Sequence, residues 1–499
     1  MGKTIQVCGT GSGVGKSVIV AGLCRIFFKD GHKVSPFKAQ NMALNSFVTK
    51  EGGEIGRSQA NQAFACDVEP DVDMNPILLK PNSDTGSQVI LLGKPIGNTD
   101  AVEYINLKKR LKKEVRKAFD RLKENYEIIV IEGAGSPAEI NLKSHDIVNM
   151  KMAEYAGAPV ILVGDIDKGG VFAWLIGTLQ LLTKKERQRV KGIIINKFRG
   201  DKKLLDSGID FLEKKTGIKV LGVVPYFKDV KIPEEDSVYF ENHKNPDETS
   251  DKKIQIDVVL LPRISNFTDF DALSSEKDVQ VRYVKTAEDV VHPDVIIIPG
   301  TKSTISDLKF LRESGIADKI MSFYGAGDTV ILGICGGFQM LGEKIYDKHF
   351  IESPEGEING LGLLPLETTM EKEKNLSRTK ARSFMGSNIT GYEIHHGRTI
   401  YHKKSRSFSS VFEKNGKKVD YADGAISKNV YGTYVHGVFD ADEFRKEFLN
   451  LIRRKKGISP LKQKNTFDLD KEYDRLAEIL RENLDVDYIY RVINSWQTL

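Results

Sequence analysis

Cys335 and His436 are the side chains in this 499-residue chain whose settings most directly allow covalent chemistry. Cys335 lies in Gly333-Ile334-Cys335-Gly336-Gly337-Phe338-Gln339, straight after the apolar run Val330–Leu332. A cysteine flanked by glycines where a strand turns into a helix predicts a nucleophile elbow, a turn sharp enough to expose the side chain. The helix N-terminus behind it would stabilise negative charge on sulfur, and backbone N–H groups there can hold an oxyanion. Gly336 supplies one such N–H. Thr301, in Pro299-Gly300-Thr301-Lys302-Ser303-Thr304 at the end of the run Val295–Ile298, is the candidate for the second. A thiol nucleophile needs a base, and Tyr431-Gly432-Thr433-Tyr434-Val435-His436-Gly437 supplies one. Cys8, Cys24 and Cys66 lack such surroundings and are read as packing residues.

The second chemical centre is a phosphate loop. Gly9-Thr10-Gly11-Ser12-Gly13-Val14-Gly15-Lys16-Ser17 follows a strand at Ile5–Cys8 and precedes an apolar helix at Val18–Phe28. Glycines let successive N–H groups turn toward phosphate oxygens, and the helix N-terminus favours the same charge. Thr10, Gly11, Ser12, Gly13, Val14 and Gly15 would wrap ATP phosphates. Lys16 would reach the β/γ-phosphates, and Ser17 would ligate Mg²⁺. Thr10 stands where the strict motif has its first glycine. Glu132, ending the run Ile128–Ile131, is the candidate to hold Mg²⁺ or its water. Asn196, at the end of Gly192–Ile195, carries an amide whose donor and acceptor could read adenine. Asp165 and Asp167, after Val160–Val163, are further candidates for metal or substrate.

These residues all fall at the ends of short β-branched runs that alternate with amphipathic stretches. That pattern predicts parallel sheets covered by helices, with ligands at the carboxyl ends of strands. The chain is too long for one ordinary core. We expect a P-loop domain over residues 1–240, a polar linker at 241–253, a second α/β domain at 254–445 and a helical extension at 446–499. The new strand series begins at Ile256–Leu261. A hydrophobic fraction of 40% and a charged fraction of 29% suit a soluble protein. A net charge of +5 over this length gives no concentrated basic face for nucleic acid. No apolar run approaches the ~20 residues that span a bilayer, and the N-terminus lacks a signal-peptide pattern. The expected location is cytoplasmic.

The loop G-T-x-S-x-V-G-K-S resembles that of dethiobiotin synthetase and its relatives, in which the residue matching Asn196 reads adenine. Partition and septum-site ATPases carry a signature lysine where this chain has Gly11, which argues against a nucleotide-driven dimer switch. The Cys335 and His436 motifs resemble class I glutamine amidotransferase domains, which implies a flavodoxin-like fold and glutamine as nitrogen source. Most of that family places a glutamate two residues after the histidine. Here that position is Val438, so the third member of the triad is absent or supplied elsewhere.

The order of the two halves, together with the segments Pro36–Ser46, Glu54–Gln59, Met74–Pro81, Glu132–Leu142 and Pro262–Asp271, closely resembles the cobyric acid synthase family over essentially the whole chain. The resemblance implies amidation of the b, d, e and g carboxylates of adenosylcobyrinic acid a,c-diamide, using ATP, Mg²⁺ and glutamine. Lys38, Asn41, Arg57 and Lys80 are the candidates to hold this corrinoid polycarboxylate, because cations set among amide side chains suit acids and amides together. The alternatives are a cobyrinic acid a,c-diamide synthase, an amidase of cell-wall lipid precursors, or a P-loop regulatory ATPase. Intact Cys335 and His436 disfavour the last of these.

Overall fold

The computed structural model describes residues 2–82, 86–227, 230, 232, 252–402 and 405–496. Its first sheet has six parallel strands in the order Val220–Pro225, Val190–Phe198, Val160–Asp165, Lys3–Gly9, Ile128–Glu132 and Val34–Phe37. Every residue of Ile128–Glu132 and Val160–Asp165 is buried. A strand covered on both faces has no polar side, which is why these runs are continuously apolar instead of alternating. Register aligns the functional ends: Val7 pairs with Glu132, Gly9 with Val163, and Asp165 with Asn196. The carboxyl ends of four adjacent strands therefore meet along one edge.

The second domain repeats this logic. Its six-stranded sheet runs Val279–Val284, Ile254–Val259, Val295–Ile298, Val330–Ile334, Val430–Thr433 and Ala425–Ser427, parallel except for the last pairing. Beside it stands a largely antiparallel sheet built around the long hairpin Leu366–Ser383 and Asn388–Tyr401. A four-stranded sheet, Gln40–Met42, Ile77–Pro81, Gly86–Leu91 and Lys94–Asp100, is inserted in the first domain. The sequence had not indicated it.

The boundary expected between 445 and 446 falls inside a helix, Asp442–Lys455, whose Phe444, Phe448 and Ile452 belong to the second domain's core. Amphipathic spacing marks a helix but not the core it joins. The following helices, Leu469–Asn483 and Val486–Ser495, return to the first domain. There Tyr473, Leu476, Leu480 and Ile489 share a core with Ile19, Leu23 and Phe27 of the helix behind the phosphate loop. The approach is close: a Cβ on Gly22 would come 2.3 Å from Leu480. The expected linker lies outside the described residues except for Lys252 and Lys253.

The two domains meet through a shared apolar cluster, Phe47, Val48, Ile55 and Ala60 from the first with Tyr392 and Ile394 from the second. Polar ties flank it. Asn266 Oδ1 accepts from Ser46 N at 2.9 Å, Asn45 Oδ1 accepts from Phe267 N at 3.2 Å, and Lys374 Nζ lies 2.6 Å from Glu54. Among the described residues no helix is long and apolar enough to cross a membrane.

Candidate active sites

The phosphate loop depends on two left-handed glycines, Gly13 and Gly15 at φ 69° and 93°. At Gly15 any side chain is doubly excluded, since a Cβ would sit 2.2 Å from Asn196 Nδ2. Thr10 instead prolongs the strand pairing by donating its N–H to Val163 O at 2.9 Å and keeps an ordinary negative φ. A side chain is tolerated there, which accounts for the departure from the strict motif. Lys16 Nζ donates to Gly11 O at 2.8 Å and Gly135 O at 3.1 Å. Ser17 Oγ donates to Glu132 Oε1 at 2.8 Å.

Glu132 is 1% exposed and does not face solvent. Its Oε1 also accepts from Lys38 Nζ at 2.8 Å, and its Oε2 accepts from Gln62 Nε2 at 2.5 Å. Burial pushes this carboxyl up, but Lys38, Gln62 and Ser17 more than offset it and hold it below the usual range. The corner therefore offers an ionised carboxylate and a hydroxyl, hard oxygen donors of the kind Mg²⁺ takes beside phosphates. Lys38 lies in the same corner, paired with Glu132.

The other candidates also have partners within the protein. Asn196 Nδ2 donates to Val14 O at 2.9 Å, so at least part of its amide braces the loop. Asp165 and Asp167 are ion-paired to Lys197 at 3.0 Å and Arg199 at 2.7 Å, and Lys197 also donates to Gly13 O at 2.6 Å. Lys197 thus ties the loop to the neighbouring strand end, a role with no motif to announce it. Ser12, Gly13, Gly15, Lys16, Ser17, Lys38, Glu132, Asp165, Asp167, Asn196 and Lys197 line one cavity of about 1280 Å³, as does Asn41, whereas Thr10, Gly11 and Val14 do not. Arg57 and Lys80 do not line it. Arg57 is buried over the Phe47 ring at the domain interface, and Lys80 Nζ donates to Glu54 Oε1 at 2.8 Å and Ser46 Oγ at 2.9 Å. Both were expected around the corrinoid. The structure sets both apart from that cavity, Lys80 lining the Cys335 cleft and Arg57 packed on the first domain's side of the interface, a placement invisible without tertiary contacts.

In the second domain Cys335 has φ 51° and ψ −106° at the start of the helix Gly336–Met340. That strained backbone is the signature of an elbow. The flanking glycines are required by contact: a Cβ on Gly337 would meet Ile298 O at 1.9 Å, and one on Gly336 would come 3.2 Å from Thr301 N. The same closeness brings the Gly336 and Thr301 backbones to one place. Cys335 is 6% exposed, and its cleft, about 30 Å³, has room for a water but not for glutamine. Side chains lining it must part to admit substrate.

His436 is 1% exposed and stacks on Tyr392 at 5.4 Å. Its Nδ1 lies 2.7 Å from Asp269 Oδ2, while Asp269 Oδ1 accepts from Gly437 N at 3.0 Å. A carboxylate only accepts, so Nδ1 carries the proton toward it and Nε2 is left for the thiol. Burial alone would lower the imidazole, but Asp269 and then Cys335 more than offset it and raise it to about 10. Val438, at the family's glutamate position, is buried in a short turn that points it into the core. The orienting acid comes from 167 residues upstream. The segment Pro262–Asp271 resembles a family motif, but nothing in its sequence announces a partner for His436.

The stretch around Asp269 forms a wall between the two sites. Ser265 and Asn266 line the Cys335 cleft, whereas Phe267, Asp271 and Ser274 line the nucleotide cavity. Two histidines missed from sequence also face the cleft. His395 stacks on Tyr434 at 3.8 Å, and His396 is pushed down to about 3 by burial and the nearby Lys374 and Lys302.

Residues 5–238 match the CobQ/CobB/MinD/ParA nucleotide binding domain, and residues 255–444 match the CobB/CobQ-like glutamine amidotransferase domain. The chain is 51% identical over 506 aligned positions to a cobyric acid synthase of Dehalococcoides mccartyi, covering 99% of each chain. It is 50% identical over 495 positions to a cobyric acid synthase of Clostridium botulinum, covering 98% of this chain and 99% of the relative.

Proposed function

Because this chain belongs to the cobyric acid synthase family, we propose that it amidates the b, d, e and g carboxylates of adenosylcobyrinic acid a,c-diamide, with one glutamine and one ATP for each amide. The observation that carries the reading is the pairing in one chain of a Cys335–His436–Asp269 array with a Lys16–Ser17–Glu132 corner, separated by the single segment 265–274.

In the first domain the loop amides and Lys16 hold the ATP phosphates, and Lys16 neutralises charge that develops during phosphoryl transfer. Ser17 and Glu132 would hold Mg²⁺, which when bound screens the phosphate oxygens from the incoming carboxylate. Lys38, beside Glu132, steers that carboxylate toward the γ-phosphoryl group. Transfer gives an acyl phosphate and ADP, replacing an oxygen that ammonia cannot displace with phosphate, a good leaving group.

In the second domain the Cys335 sulfur adds to the glutamine amide carbon, and the oxyanion is received by the Gly336 and Thr301 N–H groups. His436 hands a proton to the departing nitrogen, and Asp269 keeps the ring oriented. Water then clears the glutamyl thioester as glutamate, and ammonia attacks the acyl phosphate to release phosphate. ATP and glutamine are cytoplasmic metabolites, and we place the enzyme there. An a,c-diamide synthase is the nearest alternative, but full-length identity of about 50% to cobyric acid synthases favours the present reading.

Replacing the nucleophile separates the two roles. Cys335→Ala should abolish synthesis from glutamine while synthesis from ammonium salts persists. A folded variant that lost both activities would refute the division of labour.

A further inference from the structure

Three large apolar side chains stand exposed beside the nucleotide cavity: Met42 at 57%, Ile140 at 63% and Leu142 at 56%. Met42 and Leu142 line the cavity itself, and Ile140 lies between its lining residues Glu139 and Leu142. Single exposed apolar residues are ordinary on a protein surface, but a group of them on one functional cavity calls for a ligand. They are held in place. Met42 ends a strand paired to Leu79, and its N–H donates to Asn41 Oδ1 at 3.0 Å. The other two sit on successive turns, with Leu142 N donating to Glu139 O at 3.0 Å and His145 N to Leu142 O at 3.0 Å.

The cavity is also larger than one ligand needs. At about 1280 Å³ it exceeds the ~300–1,000 Å³ usual for a single small molecule. The nucleotide takes the part beside the phosphate loop and Lys16. The lining also includes Met42 and Leu142, with Lys108, whose Nζ donates to His145 O at 2.8 Å, and Lys143, which is ion-paired to Glu186 at 2.7 Å.

We propose that Met42, Ile140 and Leu142 form the seat for the methyl-bearing rim of the corrinoid ring, whose carboxylate arms reach outward to Lys108 and inward to Lys38. This deepens the proposed function and rests on it. The seat also resolves a geometric difficulty. One phosphorylation corner must serve four carboxylates arranged around a ring, so the ring has to be re-seated between rounds. Apolar contact has no preferred direction, so such a seat holds the ring equally well whichever arm points at Glu132. Hydrogen bonds to ring substituents would favour a single orientation.

The test uses the full-length protein and equilibrium dialysis of cobyrinic acid a,c-diamide, read by the corrinoid's own visible absorbance. Leu142→Gln should weaken corrinoid binding about tenfold, and adding Met42→Gln and Ile140→Gln should weaken it about a hundredfold or more, given the apolar area lost. Leu142→Met should retain the parent affinity, and ADP affinity should stay within about twofold in every variant. Parent-like corrinoid binding by the triple variant would overturn the seat. Equal loss of ADP and corrinoid binding would overturn it too, as general damage. Failure of the unsubstituted protein to bind any corrinoid would instead overturn the proposed function.

Discussion

Substituting Asp269→Asn isolates the acid that the structure sets against His436. The ordinary imidazole value is 6.5, and His436 is held at about 10 despite complete burial. At about 1.4 kcal/mol for each pH unit, that is a preference of about 5 kcal/mol for the imidazolium. Asparagine removes the charge that provides most of it. It also leaves one carbonyl oxygen where two carboxylate oxygens now serve His436 Nδ1 and Gly437 N. One buried donor loses its acceptor, at about 1–3 kcal/mol, or the amide flips and offers its NH₂ to the ring, forcing the wrong tautomer. Glutamine-dependent kcat/KM should therefore fall about 100- to 10,000-fold, the range for a mispositioned general acid-base. Synthesis from ammonium salts should stay within about twofold. The pH dependence of stability has a definite sign. A raised histidine stabilises the fold fully below about 6.5 and ceases to as pH climbs through about 10. Urea unfolding should show the variant weaker than the parent at neutral pH, with the gap narrowing above pH 10 to about 1–3 kcal/mol, that of the lost hydrogen bond. Glutamine-dependent turnover within threefold of the parent would refute the orienting role, and a gap that persists unchanged past pH 10 would refute the electrostatic account of it.

Two further substitutions test the scaffold. Lys374→Met removes the lysine that reaches buried Glu54 across the domain boundary and leaves Lys80, which neutralises it from within the first domain. Both partners of this pair are charged at neutral pH. Burial drags Lys374 down to about 8, partly offset by Glu54, while Lys374 and Lys80 outweigh burial at Glu54 and hold its carboxyl well below the usual range. Breaking it should cost about 3 kcal/mol at pH 7, toward the low end for a buried pair because Lys80 stays. Since a depressed carboxyl stabilises only above its unfolded value near 4.5, the deficit should shrink under acid; a deficit independent of pH in urea titrations would contradict the assignment. Gly15→Ala should lower ATP affinity at least tenfold by calorimetry, because the new methyl meets Asn196 and φ is 93°. Unchanged affinity would show that the loop relaxes freely.

What was readable in the chain divides along a physical line. The strands, the phosphate loop and the nucleophile-bearing turn were legible because their signals are local: a fully buried parallel strand is a continuous apolar run, and glycines beside Lys16 and Cys335 report turns that leave no room for a side chain. The family's segments pointed to Lys38 and Asn41 as substrate candidates, and the structure sets both in the nucleotide cavity. Illegible were the features that depend on distant parts of the chain meeting. Asp269 reaches His436 across 167 residues. Arg57 and Lys80, basic residues among amides like Lys38, lie away from the nucleotide cavity, and Lys80 lines a cleft whose cysteine comes some two hundred and fifty positions later. The inserted sheet at Gln40–Asp100 was missed because its strands are short and partly polar, and Lys94–Asp100 has one buried residue. The C-terminal helices were recognised by their spacing, but which domain they return to is written in the packing of Leu480 against Gly22.

The central claim is that nitrogen freed at Cys335 ends in the corrinoid carboxylates activated beside Glu132. It is tested most directly by incubating the enzyme with cobyrinic acid a,c-diamide, ATP, Mg²⁺ and glutamine labelled at its amide nitrogen, in excess unlabelled ammonium at moderate pH, and following the corrinoid by mass spectrometry. The account predicts four successive carboxylate-to-amide conversions, each carrying the label. Unchanged corrinoid with folded enzyme would contradict the function, and four amides without label would contradict the connection between the two sites.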